Sequence, residues 1–392
     1  MNFLSFLRKK DESEFLIIYA GATSLSALSC TLTKERELRL GEMQHTFDPR
    51  ILARGMRGFQ DNAMVILAVS PQLVHHAAIP IEWLRWHSLR PIEATEAENA
   101  FGQEVGKHFN EVREAAGRAL GALPVDTVLM ASRVRDLALD GHRAIDPVGF
   151  TAQRVHAVVD LAFVSRTFHA QFAELFRTNP VFVTDTARAG LAALLITCAP
   201  PLTLLTPLGE FSAAHSVYEK EGARIFEAKE FVWSDHDLLH ALIVGFGVGA
   251  GEAEVAYAAY LKKEKTKTER EAIEKKLKPP VKAFLAAVSR AKLGGKVFGA
   301  FRRPLPPFVP RRHRKATFDT PRIKDIFGEI GVRIVDERHS FSDEALFLAL
   351  APFVDFYTDK GDAAMNKWLK RRLHWLGAVK DEMHGDLWGN RV

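Results

Sequence analysis

The chain has 392 residues, 47% hydrophobic and 26% charged, the composition of a folded globular protein of two to three domains rather than of a disordered one. Its net charge of +5 is unevenly spread, with basic clusters at 262–278, 302–315 and 367–372 that speak for a polyanionic partner. Two cysteines without metal or redox spacing, Cys30 and Cys198, and the lack of any apolar run long enough to span a bilayer leave no case for a disulfide framework, a metal cluster or a spanning helix.

In chain order, MNFLSFLRKK carries too short an apolar run for a signal peptide, with its charges on the wrong side. FLIIY (15–19), the small residues GATS and then SALSCTL predict a strand, a turn and a second strand. A helix is predicted over 50–60 and a buried strand at AMVILAVS (63–70), with His75–His76 ending a strand without a visible partner. From 81 to 120 the texture is that of a long polar helix or helix pair. TVLMASRV, DLALDG and RVHAVVDLAFVS follow as strands, so that 81–165 reads as a small α+β unit set into a larger fold. Next come a helix at 169–177, the strand VFVTD, the helix ARAGLAALLI and the strand PLTLLT. AAHSVYE and ARIFEAKEFVW form a hairpin around EKEG. Ser234 is placed to cap the helix DHDLLHALIVGF, and Gly245, Gly247, Gly249 and Gly251 after it read as a connector between lobes. A charged helix at 261–278 precedes a separate helix, PPVKAFLAAVSRA. KVFGAF is a strand, 302–315 a basic Pro-rich loop, GVRIVD a strand and EALFLALAPFVDFY a buried helix.

The segment DGHRAIDPVGFTAQRVHAVVDLAFVS (140–165) resembles the bacterial division protein FtsA, whose inserted subdomain carries DG-x-x-x-I-x-DP-x-G-M-x-G-x-R-L ahead of a strand. Asp140, Gly141, Ile145, Asp146, Pro147, Gly149 and Arg154 fit this pattern, while Phe150 and Val155 replace its Met and Leu. The resemblance extends in order over roughly residues 11–376. It implies an α/β, actin-like two-lobed fold with RNase H-like sheets and an inserted α+β subdomain. The implied domains are lobe I at 11–80 and 166–205, the insertion at 81–165, lobe II at 206–342, a final helix returning to lobe I at 343–360 and a tail at 361–392.

By the same resemblance, ATP and magnesium are the cofactors to test for, and Gly21, Thr23, Ser24 and Gly209 are what remains of two phosphate loops. The first loop, D-I-G-T-S-x-x-K-A in the family, reads YAGATSLSA here, with Tyr19 for the acid and Ser26 for the lysine. The second, D-I-G-G-G-T-T-D, reads TPLGEFSA, with Thr206 and Ala213 for its acids and Glu210 where phosphate would approach. The late strand, which ends in Gly-Gly in the family, reads GAFRRP. Backbone amides cradle phosphate only where glycine admits close approach, and magnesium requires oxygen ligands, usually carboxylates. The expectation is therefore weak or absent ATP binding, no hydrolysis and no catalytic residue. Glu210 and Arg302 are the charged groups left for some other anion.

Taking about 100° per residue, the apolar residues of MNKWLKRRLHWLGAVKDEM fall within roughly a 160° arc. Trp368, Leu369, Leu373, Trp375 and Leu376 lie on that face, and Lys367, Lys370 and Arg371 on the opposite one. Such a helix lies in a bilayer interface, as the tail of FtsA does, and MNFLSFLRKK is a candidate second foot. The plainer reading is a helix docked on its own protein. His236 and His240 stand four apart without a third metal ligand, no catalytic triad or carboxylate pair stands out, and 302–315 is too poor in aromatics for a nucleic-acid site. The resemblance implies a cytoplasmic protein, peripheral on the inner face of the cell membrane, with FtsZ-like or other division proteins as partners and self-association through the insertion. The alternatives are a PilM-like scaffold of a pilus or secretion machine and an active ATPase with a rebuilt site.

Overall fold

The structure is a computed structural model that describes residues 12–21, 25–46, 63–86, 89–178, 180–208, 211–220, 223–301, 303–336 and 343–359. The helix expected at 50–60, the N-terminal segment, Thr23, Ser24, Gly209, Glu210, Arg302 and the whole amphipathic tail lie outside these residues.

The chain opens with strands β1 (Glu12–Ala20), β2 (Leu25–Thr33), β3 (Glu37–Thr46), β4 (Met64–Val69) and β5 (Val74–Leu84). Helix α1 (Ala94–Leu120) and strands β6 (Thr127–Leu139), β7 (His142–Arg143) and β8 (Arg154–Ser165) follow. Short helices α2 (Arg166–Gln171) and α3 (Ala173–Thr178) lead to β9 (Val181–Asp185) and α4 (Thr186–Thr197). Strands β10 (Leu202–Leu208), β11 (Phe211–Lys220) and β12 (Ala223–Phe231) precede helices α5 (His236–Phe246), α6 (Ala250–Leu261) and α7 (Lys267–Arg290). The last elements are β13 (Gly295–Gly299), β14 (Arg312–His313), β15 (Ala316–Asp319), α8 (Ile323–Glu329), β16 (Arg333–Val335) and α9 (Asp343–Thr358). Among the described residues no single helix is long and apolar enough to cross a membrane.

Two compact units share these elements. One takes the described residues up to Thr186, Ile334–Asp336 and Phe356–Asp359, and the other takes Ala187–Arg333 and the final helix up to Asp355. The first unit holds a six-stranded sheet in the order β16-β3-β2-β1-β4-β9, antiparallel from β3 to β1 and parallel from β1 through β4 to β9. The second holds β12-β11-β10-β13-β15-β14, again antiparallel from β12 to β10 and parallel from β10 to β15. Numbered within each unit and leaving out β16 and β14, the five remaining strands run 3-2-1-4-5, the RNase H-like order. Its occurrence once in each unit makes this an actin-like α/β fold. Each sheet has six strands rather than five, because β16 adds beside β3 and the short β14 folds back on β15. The central parallel strands are apolar along their whole length (MVILAV in β4) because both faces are covered.

The inserted sheet, β5-β8-β6-β7, is antiparallel and carries α1 on one face. Phe101, Val105 and Phe109, four apart on α1, bury themselves against Val155, Val159 and Phe163 of β8, with the Phe109 and Phe163 rings 5.7 Å apart. Met130, Ala162 and Val164 of this sheet join the core of the first unit beside Leu16, Leu67 and Val69.

Four sequence readings are corrected. Residues 81–84 continue strand β5, and helix starts only at Ala94. His75 and His76 begin that strand rather than end one. The charged helix and PPVKAFLAAVSRA form one helix, α7, which runs through Pro279 and Pro280 and starts at 267 because Thr266 and Glu269 make a capping box. The glycine ladder is a corner inside the second unit: Gly247 ends α5, Gly249 precedes α6, and the two helices bend by 108°.

Candidate functional site

In open α/β sheets, ligands gather at the carboxyl ends of the parallel strands. In the first unit this edge brings together Gly21 at the end of β1, Ser70 after β4 and Asp185 at the end of β9. The Ser70 N–H donates to the Ala20 carbonyl at 2.8 Å, which ties the first two ends together. Tyr19, standing for the expected acid, pairs with Ser26 across the β1–β2 ladder, and burial raises its pKa well above the ordinary phenol value. A neutral phenol offers magnesium no anionic ligand. Asp185 is an acid at this edge, and its Oδ2 lies 2.8 Å from His76 Nε2. The sequence reading missed this pair because its members come from strands far apart in the chain, and no local spacing announces them.

The equivalent edge of the second unit is more fully closed. β10 and β11 pair in continuous register from Leu202↔Val217 to Leu208↔Phe211, so that only two residues connect them. That pairing engages the N–H groups the two strands turn toward each other, and Pro207 brings no N–H at all. Thr206, where an acid was expected, is buried and bonded to His215 Nε2 at 3.1 Å. Beyond β13, the Ala300 N–H donates to the Leu205 carbonyl at 2.9 Å, and Phe301 turns inward against Trp233 with ring centroids 5.1 Å apart. Arg303 is held by Asp235 through its backbone N–H (3.1 Å) and guanidinium (3.5 Å), and reaches Glu254 at 2.5 Å. The Tyr257 hydroxyl donates to the Pro304 carbonyl at 2.5 Å, and burial raises its pKa. Where Gly-Gly would leave room, a ring, an ion-pair cluster and a tethered turn take the space. The N-cap of α5 is Asp235 rather than Ser234, whose Oγ accepts the His236 N–H at 3.2 Å one residue earlier.

The turn at 140–150 is a clasp within the insertion. Asp140 and Gly141 both have positive φ (47° and 84°), and the Asp140 carboxylate accepts the N–H groups of Arg154 (2.7 Å) and Gln153 (3.1 Å). Those two bonds hold its pKa below the usual carboxylate range. Asp146 Oδ1 accepts the Val148 N–H at 2.8 Å, the Phe150 N–H donates to the Pro147 carbonyl, and Gly149 (φ 84°) donates to the Ile92 carbonyl at 2.9 Å. Arg85 locks the other side. Its guanidinium meets both Glu96 oxygens (2.8 and 3.0 Å) and the carbonyls of Arg90 and Ala152. The motif thus knits the end of β5, the start of α1 and the start of β8. Around it Leu84, Trp86, Leu89, Ile145 and Phe150 stand exposed, Trp86 at 97% and Leu89 at 92%.

Of the residues singled out in the sequence, Asp140, Gly141, Asp146, Pro147 and Gly149 come together in this clasp. Gly21 stands alone at its sheet edge, since Thr23, Ser24 and Gly209 lie outside the described residues, as do Lys367 to Leu376.

No protein-family model matches the chain, and no curated protein matches its sequence. Solved structures that resemble it include a diol dehydratase-reactivating factor in nucleotide-free form, with 8% identity over 88% of this chain and 100% of that one and a TM-score of 0.40. The ethanolamine utilization protein EutJ of Carboxydothermus hydrogenoformans shares 9% identity over 87% of this chain and 89% of its own, with a TM-score of 0.34. The activator of 2-hydroxyisocaproyl-CoA dehydratase from Clostridium difficile, solved with ADPNP, shares 9% identity over 89% of this chain and 95% of that one, with a TM-score of 0.29. At such identities the actin-like assignment rests on the strand order itself.

Proposed function

We propose that this chain is an FtsA-type scaffold of bacterial cell division, which anchors FtsZ-like or other division proteins at the inner face of the cell membrane without turning over ATP. The observation that carries the reading is the tip of the insertion, where the FtsA-like turn presents Trp86, Leu89, Ile145 and Phe150 to solvent. An apolar cluster of this kind on a rigid clasp is an interface waiting for a partner, with Trp a frequent anchor of binding energy. A second copy of the chain is the partner this reading assigns to the tip. The closed β10–β11 hairpin and the filled end of β13 support the lack of turnover. The basic and Trp/Leu faces of 365–383 support the membrane anchor.

Sedimentation of the full chain tests the first part. Wild type is expected to self-associate with rising concentration, and Trp86→Ser with Leu89→Ser to remain monomeric. Equal behaviour of the two removes the tip from the argument. Flotation with anionic liposomes tests the second part: Leu369→Asp with Leu373→Asp is expected to abolish insertion of the tail, and undiminished flotation would return the helix to the role of a docked one.

A further inference from the structure

The stretch 275–318 contains many lysines and arginines and not one aspartate or glutamate. The fold gathers six of these cations at one place in the second unit. Arg290 ends α7, Lys292 follows in the turn to β13, and Arg311, Arg312, Arg314 and Lys315 belong to the β14–β15 hairpin. The hairpin is fixed to the helix end: His313 Nε2 lies 2.8 Å from Ser289 Oγ, and the Gly295 N–H donates to the Lys315 carbonyl at 3.0 Å. All six side chains are exposed, and none has an ion-pair partner among the described residues. Lys292 and Arg314 each hold a left-handed turn position (φ 54°), where glycine or asparagine sits without strain. The cluster stands at the amino ends of the parallel strands β13 and β15, the opposite edge from the hairpin that replaces a phosphate loop.

Six unpaired cations on one rigid surface raise a strong local positive potential. The occupant must be an extended polyanion. Single-stranded nucleic acid is disfavoured because the aromatics of the stretch face inward: Phe284, Phe298 and Phe301 are buried, and Phe308 and Phe318 pack against the core, so bases find no stacking platform. Nor does the patch carry an exposed apolar side chain with which to enter a bilayer. The tail sequence 365–383 supplies that missing half, and an inserted helix plus a basic surface is the two-signal arrangement that holds a protein on a membrane.

We propose that the β14–β15 hairpin and the end of α7 form a second, purely electrostatic contact with an anionic bilayer, orienting the second unit against the headgroups. The proposal rests on the membrane reading above, and its test separates the two. The full chain would be titrated with vesicles of phosphatidylcholine alone and with about one third phosphatidylserine, beside Arg312→Gln/Arg314→Gln/Lys315→Gln and the tail variant Leu369→Asp/Leu373→Asp.

Each cation removed is expected to weaken partition to the anionic vesicles about fivefold, on the order of a hundredfold for three, and to flatten the dependence on salt. Binding to neutral vesicles should be unchanged, and Arg312→Lys/Arg314→Lys/Lys315→Arg should bind as wild type. Failure of the tail variant alone to bind neutral vesicles supports the anchor without touching the hairpin. Wild-type partition of the triple glutamine variant, with native melting, overturns the proposal. So does a loss confined to a DNA oligonucleotide, which would make nucleic acid the occupant.

Discussion

Asp140 lies on the surface, yet its carboxylate is fully engaged by the N–H groups of Arg154 and Gln153, and those bonds lower its pKa. A depressed folded pKa gives stability that is present above the ordinary carboxylate value near about 4 and is lost as pH falls through the folded value. The clasp is therefore expected to loosen only in acid. The protection factors of the Gln153 and Arg154 amides should fall below about pH 4, and Asp140→Asn should remove that pH dependence. Arg85 is a stricter test of geometry, since its two-pronged grip on Glu96 and two carbonyls cannot be copied by an ammonium. Arg85→Lys is expected to cost about 1–3 kcal/mol, read as a shift of the denaturation midpoint. The cysteines differ in the same local way. Cys30 is buried and its thiol pKa is raised by burial, while Cys198 is half-exposed beside Lys296 Nζ at 3.3 Å. Alkylation of the native protein should label Cys198 and spare Cys30 until unfolding. At this scale the clasp residues were legible because Asp, Pro and Gly at turn spacings announce their own backbone geometry. The pairing of His76 with Asp185 and of Arg303 with Asp235 was not, because tertiary folding alone brings those residues together.

Elements were legible where one physical demand dominates the segment. Strands β1, β4, β8, β9 and β10 are apolar because they are buried, and their composition says so. β3 was missed because ELRLGEMQHT has Leu38 as its one fully buried side chain, leaving an alternation too weak to read. The start of β5 was missed for another reason. Pro80 demotes a strand in sequence, yet β5 is an edge of the inserted sheet and pairs on one side only, where a missing N–H costs nothing outward. The same logic of neighbours decides Gly295. Its φ is 73°, and an added Cβ would lie 2.3 Å from the Pro201 carbonyl oxygen, a backbone atom with little freedom to yield. Gly295→Ala is expected to destabilise the second unit by about 1–3 kcal/mol from the backbone conformation alone, with the collision adding to it. Gly121→Ala, at φ 62° but with open space around it, should cost less. Thermal melting of the two variants separates the collision from the dihedral.

For the whole molecule, the question is how a fold with two matched sheets can keep its form whatever its loops hold. The two demands act on different atoms. The 3-2-1-4-5 order is maintained by apolar strands such as VILAV and LTLL, whose burial stabilises each unit whatever its loops contain. Phosphate binding depends on a few connecting residues, whose identity the sheets do not dictate. In the second unit the connection is also closed by strand pairing. A ladder paired through Leu208↔Phe211 has no slack, so restoring glycine at 209–210 alone would not undo the pairing of Leu208 with Phe211. The sequence exposed the departures from the resembled phosphate loops, but not this zipping of the hairpin, which depends on register. Isothermal titration with ATP and magnesium is therefore expected to show binding no tighter than millimolar, for the wild type and equally for a Glu210→Gly variant. Micromolar affinity in the wild type would overturn the expected weak binding outright. A gain in the Glu210→Gly variant alone would instead show that the charge at 210, rather than the paired hairpin, was the barrier.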